Sequence, residues 1–86
     1  MKNNVKIISE LASTNELLQV VNTLHEISPV HLITVTPAQG SDIHQAEICV
    51  TADETTIIIQ CKSISIARMM ARTIQADTGA KLEIMV

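Results

Sequence analysis

Apolar and polar positions along this chain change period several times, and each change marks a secondary-structure element. Thr55 to Cys61 alternates and is rich in β-branched residues, which predicts a strand. Ile57, Ile59 and Cys61 share one face of it, and Thr56, Ile58 and Gln60 the other. At Ser63 the period turns helical. Ala67, Met70, Ala71 and Ile74 fall on one side, flanked by Ile64 and Ile66, while Arg68, Arg72 and Gln75 face away. Ser63 suits the N-cap and Gly79 the left-handed stop. Leu82, Ile84 and Val86 then alternate with Lys81, Glu83 and Met85 as a closing strand.

The first half reads in the same way. Val5 and Ile7 alternate with Lys6 and Ile8 in a short first strand. Ser13 to Glu16 has the form of a capping box, with Ala12 and Leu17 placed for a weak hydrophobic staple. Leu17, Val20, Val21, Leu24 and Ile27 make the apolar stripe of a helix that ends at Ser28, before Pro29. Val30 to Thr36 is strand-like, with Ile33 and Val35 inward. Residues 37–45 form a loop rich in turn chemistry. Ala46 to Ala52 alternates, with Ile48 and Val50 inside and Glu47, Cys49 and Thr51 outside. Asp53 and Glu54 between two strand-like runs imply a tight hairpin or, since the pair lacks the glycine a two-residue turn favours, a slightly longer turn.

The order is βαβ(β)βαβ in a single domain spanning residues 1–86. One packed and one wet strand face predict an α+β open-faced sandwich: an antiparallel sheet of four to five strands with two helices on one face. Val5, Ile7, Ile33, Val35, Ile48, Val50, Ile57, Ile59, Leu82 and Ile84 are assigned to the inner face. Ile8, Val30, Leu32, Ile58 and Met85 are assigned to the outer face. That is much aliphatic surface for a small domain, and it predicts a protein partner or a dimer.

Composition narrows the function. Apolar residues make up 47% of the 86-residue chain, yet it has no Phe, Tyr or Trp, so the core is aliphatic and offers no stacking platform. A net charge of −3 with six scattered basic residues argues against a nucleic-acid partner. No apolar run is long enough for a membrane helix and no secretory h-region follows the N-terminus, so a cytoplasmic, non-membrane protein is expected.

Candidate chemistry is sparse. With Asp53-Glu54 as the turn, Cys49 lies opposite Ile58 and Cys61 opposite Ala46, so the two thiols point to opposite faces and share neither a disulfide nor a metal. His25, His31 and His44 have no common metal-site spacing; only His44 falls in a loop, where functional groups concentrate. There is no nucleophile with an evident base, no paired carboxylate and no glycine-rich phosphate loop. No catalytic residue, metal or cofactor is expected.

One segment carries a resemblance. Cys61-Lys62-Ser63-Ile64, followed by Met69-Met70-Ala71 and by Thr73 to Ile84, resembles the Ala-Lys-Ser-Ile/Leu segment of the HPr phosphocarrier family of the sugar phosphotransferase system. His31 to Thr36 is similar to that family's second strand. The resemblance implies a regulatory or protein-interaction domain, with Ser63 as a candidate regulatory phosphorylation site beside its N-cap role. The family's phospho-histidine stretch, Gly-Leu-His-Ala-Arg-Pro-like, has no counterpart in Leu11 to Glu16. Strand Ala46 to Ala52 and its loop are an insertion relative to the family, and the usual C-terminal helix is absent. Relay of phosphate through histidine is therefore not expected. A ferredoxin-like or ACT-like module that dimerises or senses a small molecule is the alternative.

Overall fold

The computed structural model describes residues 4–9, 13–38 and 45–85. Five strands and two helices follow in the order β1 (Asn4–Ser9), α1 (Thr14–Ile27), β2 (Val30–Pro37), β3 (Ala46–Ala52), β4 (Thr55–Cys61), α2 (Ile64–Thr78) and β5 (Lys81–Ile84). The chain is α+β, and its strands form one sheet in the order β1-β4-β3-β2-β5. The sheet is mixed, which corrects the antiparallel expectation. The meander β2-β3-β4 is antiparallel, but β1 runs parallel to β4 and β5 parallel to β2. The cause is connectivity. Each strand–helix–strand unit brings the chain back in its original direction, so β1 shares the direction of β2, and β4 that of β5. Each outer strand then pairs with a strand of the other unit.

The caps act where the sequence places them. The Ser13 hydroxyl accepts from the Glu16 backbone N–H at 3.2 Å, and the Ser13 N–H donates to Glu16 Oε1 at 3.3 Å. The helix closes at Ser28, whose N–H donates to the Leu24 carbonyl, and Pro29 prevents continuation. The hydroxyl of Ser63 accepts from the Ile66 N–H at 3.4 Å. Gly79 ends α2 with φ 73°, the left-handed conformation that a Cβ disfavours.

The core lies between the helices and one set of alternate strand residues. Leu17, Val21 and Leu24 of α1 and Ala67, Met70, Ala71 and Ile74 of α2 join Ile33, Val35, Ile48, Val50, Ile57 and Ile59, all buried; Leu82 and Ile84 pack at the margin. At about 1.5–3 kcal/mol per fully buried aliphatic side chain, this one layer is the main favourable contribution to folding.

Three face assignments differ from the sequence reading. Val5 and Ile7 are exposed, and the parallel register sets them beside Thr56 and Ile58 on the outer face. A one-residue change in register moves every side chain of a strand to the other face. Val30 is buried, because the register against β3 shifts between Val30 and Leu32. Val30 thereby turns inward beside Ala52 while His31 is exposed. In α1, Val20 and Ile27 stand outside the buried stripe. Ala12, residues 39–44 including His44, Val86 and the Ile8 side chain lie outside the described residues, so the staple and the loop readings that fall on them do too.

Candidate interaction surfaces

Two surfaces collect the apolar residues that the core does not use. The first is the outer face of the sheet. Across the strands, register places Ile7 beside Ile58, Ile58 beside Cys49, Cys49 beside Thr34, and Thr34 beside Glu83. The neighbouring row is Val5, Thr56, Thr51, Leu32 and Lys81. Apolar side chains therefore concentrate at the β1–β4 side, where Val5 is 55% and Ile7 66% exposed and Ile58 is half-buried. At the opposite side Lys81 Nζ and Glu83 Oε2 make an exposed ion pair at 3.3 Å. Leu32 and Met85 sit on that charged side, away from the β1 cluster. β1 and β5 are the two edge strands.

The second surface is a groove of about 630 Å³ between α1 and β4, lined by Glu16, Gln19, Val20, Thr23, Leu24, Ile27, Thr55 and Ile57. Positions 16, 20, 23 and 27 form a helical stripe adjoining the buried stripe 17, 21 and 24. Val20 and Ile27 adjoin the buried stripe at helical spacing, so in sequence they read as part of it.

The sequence-flagged residues are dispersed. Cys49 and Cys61 are not joined in a disulfide; they lie opposite Ile58 and Ala46, on opposite sheet faces, with Cys61 buried and Cys49 half-buried. His25 is part of the α1–β2 junction: its Nδ1 accepts from the Val30 N–H at 3.0 Å. An acceptor Nδ1 requires an imidazole protonated on Nε2 only. His31 Nε2 lies 3.6 Å from Asp53 Oδ1, both exposed. Ser63 is half-buried at the start of α2, whose first turn has no acidic residue. Among the described residues no three or more His, Cys, Asp and Glu side chains are grouped to hold a metal, and no helix is long and apolar enough to cross a membrane.

Compared with protein families, curated proteins and solved structures, the chain matches none.

Proposed function

We propose that this chain is a small, non-catalytic protein-interaction domain, an open-faced sandwich whose bare sheet face at β1 and β4 is the contact surface. The observation that carries this reading is the run of Val5, Ile7 and Ile58 at β1, an edge strand of the sheet among the described residues. Three side chains fall well short of the roughly 800 Å² per partner of a standard interface, so backbone pairing along β1 must add to them. Two copies joined at β1 about a two-fold axis would bring both aliphatic clusters together in one continuous sheet, an isologous arrangement.

The link to the sugar phosphotransferase system rests on the strand–helix–strand segment around Ser63. Two structural features depart from the HPr pattern. β3, an insertion in that comparison, is the middle strand of the sheet and not an appendage. The start of α1 carries a capping box in place of a histidine. We therefore assign no phosphate relay to His25 or His31. Ser63 is the candidate regulatory position, because a phosphate there would meet a helix N-terminus whose first turn holds no acidic side chain. A ferredoxin-like or ACT-like dimerising, metabolite-sensing module is the second reading, favoured by the same exposed face.

Sedimentation at tens of micromolar is the test. The expected result is a dimer that Ile7→Lys or Ile58→Lys converts to monomer, since Ile7 is exposed and its replacement leaves the core intact. A wild-type monomer that no candidate protein binds, or a dimer indifferent to both substitutions, would overturn the assignment of this face. Incubation with the phosphotransferase system's first enzyme and phosphoenolpyruvate should leave every histidine unlabelled; acid-labile phosphate on the chain would contradict the reading.

A further inference from the structure

We infer that His25 and His31 form a proton-operated junction at the start of β2, in which acidification releases Val30 from α1 and holds its neighbour His31 against the β3–β4 hairpin. The device rests on the geometry of the junction and does not depend on association through the sheet face.

The backbone is irregular where the two histidines meet. Val30 pairs with Ala52 and Leu32 with Thr51, so His31 is the extra residue on its strand. The Val30 N–H is matched by a side chain: His25 Nδ1 accepts it at 3.0 Å. Val30 is buried, and a buried N–H without an acceptor is costly. One residue further on, the His31 ring reaches the other way, towards Asp53 in the hairpin. The start of β2 therefore has one side-chain tie to the helix before it and one to the hairpin beside it.

The two rings make opposite demands on the proton. His25 holds Val30 only as a neutral imidazole, because an imidazolium has no acceptor. His31 holds Asp53 only as an imidazolium. Its Nε2 lies 3.6 Å from Asp53 Oδ1, beyond hydrogen-bond length, so opposite charge is what draws the pair together. The His25 bond is present while its ring is neutral and is lost as pH falls through that ring's titration. The His31 attraction is gained over its own titration, while Asp53 stays ionised. One proton on each ring transfers the tie from the helix to the hairpin.

Charged groups approach the junction from several elements among the described residues. Glu26 adjoins His25 on α1, and the hairpin carries Asp53 and Glu54. α2, packed against α1, carries Arg72 and Asp77 in its last two turns, both exposed. β5 sets Lys81 beside Leu32, where it pairs with Glu83. These charges help to set where each ring titrates, but none of them gives an imidazolium an acceptor. A cation is tolerated in the last turn of a helix, so acidification strikes the hydrogen bond and not the helix end.

The test is a titration of the full chain, isotope-labelled, from about pH 8 to about pH 5, the range in which histidine changes charge. Both imidazoles and the backbone amides are followed by NMR. The Val30 amide proton should move upfield in step with the His25 ring, and its exchange should quicken about tenfold or more relative to the intrinsic rate. The Asp53 amide should follow the His31 ring. His25→Asn, whose carboxamide oxygen accepts a hydrogen bond and does not titrate, should leave the Val30 amide still across the range. His31→Asn should abolish the Asp53 response and keep that of Val30. In about 0.5 M salt the Asp53 response should shrink, because both groups are exposed, while Val30 responds as before. The inference is overturned if the Val30 amide stays still while the His25 ring titrates, if it follows His31, or if its response survives in His25→Asn. A His25 ring that stays neutral to about pH 5, or an Asp53 response that survives in His31→Asn, also overturns it. The wild-type titration decides the matter alone where a variant fails to fold.

Discussion

The buried Ser28 hydroxyl accepts a hydrogen bond from the backbone N–H of Glu54 at 3.1 Å. The two residues are 26 positions apart. One is the C-cap of α1, and the other is in the two-residue turn between β3 and β4. The bond fixes the end of the helix to the tip of the central hairpin. Ser28 is the only buried polar or charged residue among those described, so its side chain has a structural task that an alanine cannot perform.

Ser28→Ala should therefore destabilise the fold by about 0.5–1.5 kcal/mol, the usual net worth of one hydrogen bond. Urea unfolding checks it. A lowered midpoint with an unchanged slope is the expected result, together with faster hydrogen exchange at Glu54. An unchanged midpoint would show that water replaces the hydroxyl at no cost.

His25 should carry its proton on Nε2. Its Nδ1 accepts from Val30, a buried residue at the start of β2. The bond is lost if the ring is protonated on both nitrogens, because an imidazolium has no acceptor. Imidazole nitrogen shifts in the neutral protein should show an unprotonated Nδ1. His25→Leu should cost about 1 kcal/mol by leaving the Val30 N–H unmatched. A protonated Nδ1 would contradict the junction geometry.

Gly79→Ala should destabilise by about 1–2 kcal/mol, and Gly79→Asn by less. Nothing lies within 4 Å of an added Cβ, so crowding contributes nothing and the cost is that of a left-handed backbone at φ 73°. Thermal midpoints of the two variants should rank glycine, asparagine, alanine. An alanine variant as stable as wild type would mean that α2 can end in another conformation.

Local chemistry was legible and long-range pairing was not. Ser13, Ser63, Pro29 and Gly79 act through their own backbone neighbourhood, so the bounds of both helices follow from the sequence. The β3–β4 register follows as well, because a two-residue turn leaves it little freedom. β1 is different. Val5, Ile7 and Ile8 alternate in no way that marks one face as apolar, and no short turn ties β1 to its partner 51 residues away, so alternation alone gave the wrong face. Val30 was misplaced because Pro29 reads as the end of α1 and gives no sign of the register shift that follows between Val30 and Leu32. The groove was hidden for a related reason: Val20 and Ile27 are apolar and helix-spaced, and only the width of the sheet shows that the core stops short of them.

The two thiols provide the last prediction, and it follows from the β3–β4 register. Cys49 pairs with Ile58 on the outer face, half-buried, its Sγ 3.7 Å from the Thr51 hydroxyl. Cys61 pairs with Ala46 on the inner face and is 3% exposed. A thiol reagent in native buffer should modify one cysteine per chain quickly, and mass mapping should locate it at Cys49. Cys61 should react only when the core opens, at a rate that rises with urea. Because Cys49 adjoins Ile58, modification with a bulky reagent should also weaken any association through the sheet face. In Cys49→Ser the fast phase should vanish. Fast labelling of Cys61 in the native protein would reverse the faces of β3 and β4, and with them the location of the proposed contact face.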